Sequence, residues 1–294
     1  MTAVQAGRLR KAIPARLDRW LTCPRQYRLQ HVDLPPPPRA PQTTPQRLGT
    51  AVHVTMARLF DGTGPVTVDR ALALLLEAWP AGPAAWRDRE QSAEWLAAAG
   101  LWVRQYVSTL PPGLVVLGTE RQVAAPARTV GLAIEGRVDR VDDRDGSPVV
   151  VDYKTGRRPP SDTDARSSLA LALYLIATWR TWRRRAVRAE LHHLPSGVIA
   201  VAEHDEASLR RHLDRAADVM RDITVATDTL EGAAAGERED AAADLFPARP
   251  SALCPHCPFH RHCPEGLAYL PARLPWEHLD HPETASAEAV TADV

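Results

Sequence analysis

The sequence is almost without lysine: of its 36 lysine and arginine residues only Lys11 and Lys154 are lysines. A chain that uses arginine nearly everywhere has kept a compact ammonium at two places, and the two cations are not interchangeable where a point charge is needed. No run of about 18 or more apolar residues occurs, which excludes an apolar membrane-spanning helix. The first residues lack the apolar core of a secretory signal, so a cytoplasmic protein with no membrane partner is expected. In that compartment the four cysteines read as ligands or thiols before disulfides. Net charge is zero, so global charge argues neither for nor against nucleic acid. The phosphate-binding pattern Gly-x-x-x-x-Gly-Lys is missing, so any strand unwinding would have to come from a partner.

What is present centres on residues 131–156. Two apolar runs of strand length flank Asp145-Gly146, the signature of a β-hairpin. Val149-Val150-Val151 is β-branched and uninterrupted, as in a strand buried on both faces. Asp152 and Lys154 follow, two residues apart and therefore on one side of that strand. The hairpin can bring Asp139 across from Asp152. Neighbouring carboxylates raise each other's pKa unless a cation lies between them. A hard divalent ion such as Mg²⁺ or Mn²⁺ would resolve the conflict, with Lys154 as a charge toward phosphate or an aid to the attacking water.

The runs Gly136-Arg137-Val138-Asp139-Arg140-Val141-Asp142 and Val151-Asp152-Tyr153-Lys154-Thr155-Gly156 resemble the PD-(D/E)xK nuclease superfamily, in particular its RecB-like and AddB-like exonucleases and the CRISPR-adaptation nucleases. The resemblance implies an α/β fold: a restriction-endonuclease-like core with a central mixed β-sheet flanked by helices. It implies Asp139 and Asp152 as metal ligands, the Tyr153 carbonyl as a further one, and Lys154 as the completing catalytic residue. Gly49-x-x-x-His53 is similar to that family's upstream histidine, a metal ligand; the alternative is a core histidine on an apolar helix. Glu120, at the end of the apolar run Val115-Val116-Leu117, would assist the metal directly or through water. Tyr174 matches the tyrosine of the family's Gln-x-x-x-Tyr helix, or is a core tyrosine, while Ala170 stands where glutamine is usual.

Around this core the chain divides into a basic helical segment, 1–34, and the core at 46–230 with a helical insertion at 68–110. A linker at 231–250, a cysteine segment at 251–275 and a disordered acidic tail at 276–294 follow. Helices are expected at 13–32, broken near Cys23-Pro24, at 48–60, 169–182 and 206–230, with an exposed proline-rich connector at 35–45 and a polar loop at 157–168. Trp79, Trp86, Trp95 and Trp102 read as core anchors of the insertion. Basic stretches with aromatics suit backbone neutralisation and base stacking, which makes Arg25, Arg28, Arg183 and Arg184 candidates for nucleic-acid contact; a solvated helix face is the competing reading.

Cys254-x2-Cys257-x5-Cys263 with Cys23 far upstream uses every cysteine. Four thiolates suit tetrahedral zinc or a [4Fe–4S] cluster. The one-plus-three arrangement resembles the iron–sulfur staple of AddB-type nucleases, whereas His256, His260 and His262 keep zinc open. The expected function is a Mg²⁺- or Mn²⁺-dependent DNA nuclease, a single-strand-specific exonuclease of repair or recombination acting on single strands or duplex ends. The alternative is a catalytically weak DNA-binding module, or a subunit of a helicase–nuclease or CRISPR-adaptation complex.

Overall fold

The computed structural model describes residues 9–80, 86–234 and 236–268; the expected tail, 276–294, lies outside them. Among these residues no helix is long and apolar enough to cross a membrane.

Six strands form one mixed sheet. The long strands β2 (Val115–Ala127) and β3 (Leu132–Arg144) pair antiparallel over most of their length. The opposite edge of β3 is shared: β1 (Arg10–Ala12) runs parallel to residues 132–134, and β4 (Ser147–Lys154) pairs antiparallel with residues 140–144. Between these two partners the stretch 135–139 has no ladder on that edge, and the site described below opens there. The turn from β3 to β4 holds Asp145 at φ 53° and Gly146 at φ 83°, the two left-handed residues of a type I′ hairpin. Beyond β4 come β5 (Arg188–His193), parallel to it, and β6 (Ile199–Glu203), antiparallel to β5. Val149, Val150 and Val151 are at most 3% exposed, as their unbroken β-branched run requires.

Cys23 separates the first two helices, α1 (Pro14–Thr22) and α2 (Pro24–His31). Its extended backbone ends one helix and starts the next, because Pro24 disfavours helical geometry in the residue before it. Thr43 and Gln46 form a capping box at the start of α3 (Thr44–Leu59). The insertion supplies α4 (Val68–Ala78) and α5 (Arg89–Ser108). Trp95 is fully buried and Trp79 stacks on Trp86 at 4.8 Å, so these tryptophans anchor the layer of α3, α4 and α5 on one sheet face. The other face carries α1, α7 (Leu169–Trp182) and α8 (Glu206–Gly232).

Two segments differ from the sequence reading. The polar stretch 157–168 contains a short helix, α6 (Asp162–Ser167), nucleated by a capping box between Ser161 and Asp164. The expected linker, 231–250, contains α9 (Arg238–Leu245). It is held because Ala242 and Phe246 are buried in the core, with Phe246 edge-on to Trp20 at 5.6 Å. Among the described residues the last helix, α10 (Pro264–Ala268), follows the cysteines.

Behind β3 and β4 lies a buried polar network. Arg140, 1% exposed, donates through Nη2 to Asp142 at 3.1 Å and through Nη1 to the Tyr153 hydroxyl at 2.8 Å. Its guanidinium sits 4.4 Å from the Phe60 ring centre. Glu190 receives Arg144 at 2.7 and 2.8 Å and Arg188 at 2.7 Å, with His192 Nε2 2.8 Å away. Burial works against the Glu190 charge, but His192, Arg144 and Arg188 outweigh it and hold the pKa down at about 2 against an ordinary 4.5. A depressed folded-state pKa stabilises the native state above the ordinary value and loses that contribution as pH falls through the folded value. Denaturant melts should therefore show stability falling between pH 4.5 and pH 2. Glu190→Gln should be less stable at neutral pH and should lose most of that pH dependence; an unchanged acid limb would refute the assignment.

Candidate active site

Three acids fall on one row across β2, β3 and β4. Thr119 pairs with Arg140 and Arg121 with Val138, so the register sets Glu120 opposite Asp139. Arg140 pairs with Val151, so the same reasoning sets Asp139 opposite Asp152. The regular ladder lapses at this row. Glu120 has φ 44°, and β3 changes the face it presents: Val138 packs in the core beneath α7, whereas Arg140 packs on Phe60 on the other side. Irregularities of this kind re-aim side chains at the price of ladder pairing.

With that pairing gone, the Tyr153 N–H donates instead to the Asp139 carboxylate at 3.0 Å. In an extended strand the N–H and C=O of one residue face the same neighbour, so the Tyr153 carbonyl faces the same opening. His53, three turns into α3, places Nδ1 3.2 Å from Asp139 Oδ2. That approach depends on Gly49, where an added Cβ would stand 3.0 Å from the Thr155 hydroxyl. Lys154 Nζ lies 2.7 Å from Asp152 Oδ2, and Arg137 Nε lies 2.7 Å from Glu120 Oε2.

The electrostatics follow from crowding and burial. Burial raises the Asp152 pKa and Asp139 adds to it, with Lys154 opposing. Asp139 is also buried, but the His53 hydrogen bond, the Tyr153 N–H and Lys154 outweigh that and lower its pKa. Burial would lower the His53 and Lys154 values, yet the facing carboxylates raise both. Glu120 is raised by burial and by Asp139. His53, Glu120 and Asp139 present ligand atoms that all lie within 4.8 Å of one another, the one such group of three or more among the described residues. Asp152 is turned to Lys154 and stands outside that group. The donor set of one imidazole and several carboxylates fits a hard divalent cation. A cleft of about 960 Å³ opens on these three residues.

Tyr174 of α7 lies over Gly136, and burial followed by Asp152, Asp139 and Asp18 pushes its pKa up to about 12. Asp18, on α1, is the carboxylate that motif reading missed. It acts electrostatically on Lys154 and Asp152, and only the docking of α1 brings it near.

The four cysteines form no disulfide with one another and line one small cavity. No three of their sulfurs fall within 4.8 Å of one another, which is wider than the roughly 3.8 Å that tetrahedral zinc–sulfur bonds of about 2.3 Å impose. Backbone N–H groups of Ser251 and Gly266 point at Cys254 and Cys263 sulfurs at 3.3 and 3.4 Å. Of the proposed nucleic-acid arginines, Arg25 and Arg28 are only 14% and 12% exposed and face Glu265 and Asp33. Arg184 donates to Asp143 at 2.7 Å. Arg183 is exposed in a left-handed helix cap.

A family profile described as the PD-(D/E)XK nuclease superfamily matches residues 14–264. Among solved structures, the chain is similar to one designated SSO0001, with 16% identity, coverage of 91% of this chain and 90% of that one, and a TM-score of 0.36. It is also similar to a candidate exonuclease from Eubacterium rectale, with 10% identity, coverage of 78% and 88%, and a TM-score of 0.41. None of the curated protein sequences matches.

A Cβ on Gly136 would collide with Tyr174 Cε1. Gly136→Ala should therefore cost about 1–3 kcal/mol, measured by denaturant unfolding, and should cost little when introduced into a Tyr174→Ala background. Strictly additive losses in the double variant would contradict the contact.

Proposed function

Because the chain belongs to the PD-(D/E)XK nuclease superfamily, with its restriction-endonuclease-like mixed sheet, we propose that the row at Asp139 is the active site of a divalent-metal-dependent deoxyribonuclease. The observation that carries this is the convergence of Glu120, Asp139, Asp152 and His53 where the ladder lapses, with one of the two lysines beside it. His53, Glu120, Asp139 and the Tyr153 carbonyl would hold Mg²⁺ or Mn²⁺, with Asp152 joining once its carboxylate leaves Lys154. The ion would supply Lewis acidity toward a phosphodiester and offset the repulsion among the acids.

The chain's own groups do the rest. The Tyr153 N–H fixes Asp139. His53 meets the same carboxylate oxygen, Oδ2. Burial works against the Lys154 charge, but while Asp152 pairs with it, Asp152 and Asp139 raise its pKa and favour the ammonium. It therefore acts as a fixed positive charge and hydrogen-bond donor, orienting the attacking water and meeting the charge that grows on the phosphoryl oxygens. Tyr174 closes the Gly136 side. The substrate is proposed to be single-stranded DNA or a duplex end, cut exonucleolytically in repair, recombination or CRISPR adaptation beside a helicase or similar partner. The wide spacing of Cys23, Cys254, Cys257 and Cys263, with N–H groups aimed at sulfur, favours a [4Fe–4S] cluster over zinc as the staple between the two ends of the core.

Cleavage of end-labelled single-stranded DNA by anaerobically purified protein, with Mn²⁺, Mg²⁺ or EDTA, tests the reading. Lys154→Ala should fold normally and lose at least about 100-fold in rate, the scale of removing a transition-state donor. Wild-type cutting by that variant, or cutting in EDTA, would sink the assignment.

A further inference from the structure

The cleft that opens on His53, Glu120 and Asp139 is also lined by four arginines, Arg19, Arg39, Arg58 and Arg137. They are not alike. Arg58 faces Glu77 at 3.3 Å and Arg137 faces Glu120 at 2.7 Å, so both are already neutralised. Among the described residues neither Arg19 nor Arg39 has a carboxylate within ion-pair distance, and the buried Nε of Arg19 has no hydrogen-bond partner.

These two unpaired guanidiniums come from different parts of the chain and are close enough to act on each other. Burial lowers the Arg19 pKa and the Arg39 charge lowers it further, with Cys257 opposing. His31 beside them is pushed down to about 4 by burial and by Arg16, Arg19 and Arg39. Gathering like charges with a buried donor unmade is costly unless an anion completes the arrangement.

The arrangement is also fixed in place. Arg39 lies on the proline-rich connector, whose Ala40 N–H donates to the Pro258 carbonyl at 2.7 Å. His262 Nε2 reaches the Pro38 carbonyl at 3.1 Å and Gln46 Nε2 donates to the His256 carbonyl at 3.2 Å. The Arg39 guanidinium sits 5.8 Å from the ring centre of the fully buried Phe259. The three-cysteine segment thus clamps the connector, and a cation held before its ligand arrives binds with less ordering cost.

We infer that Arg19 and Arg39 form a phosphate subsite for the backbone of a polynucleotide strand, gripping a phosphate other than the one presented to the acids. This rests on the nuclease reading of the acid row. It adds that the substrate is a strand long enough to engage two phosphates in one cleft, and that the connector and cysteine segment shape its path. Gln42 and Thr50 line the same cleft and offer polar groups to the sugar-phosphate chain, while neither arginine reads sequence.

Binding of fluorescein-labelled oligothymidylate to the full chain, followed by anisotropy in EDTA across a salt series, tests this without cleavage. Arg19→Gln and Arg39→Gln should each weaken binding roughly tenfold, the loss expected for a charge-assisted hydrogen bond. Each should reduce the slope of log K against log salt by about 0.7, the single-strand value per phosphate contact. Arg39→Lys keeps the charge and should keep most of the slope, with thermal melts confirming that each variant is folded. Wild-type affinity and slope in the double glutamine variant would overturn the subsite. Displacement of the strand by inorganic phosphate at constant ionic strength would instead show a lone-anion site and overturn the strand path. Failure of the nuclease reading is distinct: the wild type would bind in EDTA and lose binding in the variants, yet cut nothing with Mn²⁺.

Discussion

Carboxylates that are both desolvated and adjacent cannot all stay ionised without a cation, and the row Glu120–Asp139–Asp152 is held in that condition by the backbone. Asp139 is locked by the Tyr153 N–H at 3.0 Å and by His53 at 3.2 Å. It is the acid whose pKa falls, while those of Glu120 and Asp152 rise. One anchored anion flanked by two that resist ionisation makes a site that gains by taking up positive charge. Lys154 meets that need in part, at Asp152, and a divalent ion would meet it more fully.

The rest of the fold keeps this row from relaxing. If β3 and β4 continued their ladder past Arg140 and Val151, the Tyr153 N–H would have a backbone partner and Asp139 would be released. Arg140 works against that from behind, because it binds both Asp142 and the Tyr153 hydroxyl from a buried position. Removing one partner of such a buried pair costs far more than the pair contributes net. This network therefore serves geometry more than stability. The cysteine segment, anchored by the buried Phe259, has the corresponding task at the cleft wall, where it fixes the connector against α3.

Much of the core was legible because its signals are local. The Asp145-Gly146 turn, the Val149–Val151 run and the Asp152/Lys154 spacing each follow from strand period and turn chemistry alone. The lysine scarcity singled out Lys154 independently. His53 and Tyr174 needed a family resemblance, since one histidine or tyrosine on an apolar helix has no periodic signal. What escaped the sequence was long-range. The segment around Arg238–Leu245 reads as a linker because Ala, Glu and Asp show no apolar face, and its place is set by Phe246 meeting Trp20 from the other end of the chain. Arg25 and Arg28 stand in a basic run that suggests nucleic acid, but folding turns them toward Glu265 and Asp33. Asp18 carries no motif, and only the docking of α1 reveals it. Pairing partners, unlike charge, cannot be read from one stretch.

The most direct measurement is Mn²⁺ binding to metal-free protein, followed by electron paramagnetic resonance of the free ion, for wild type beside Asp139→Asn. The account predicts a site in the wild type that is lost in the variant, because Asp139 is the one carboxylate of the row Glu120–Asp139–Asp152 whose pKa its surroundings lower. Equal Mn²⁺ uptake by both proteins would contradict it and place the metal, and with it the chemistry, elsewhere.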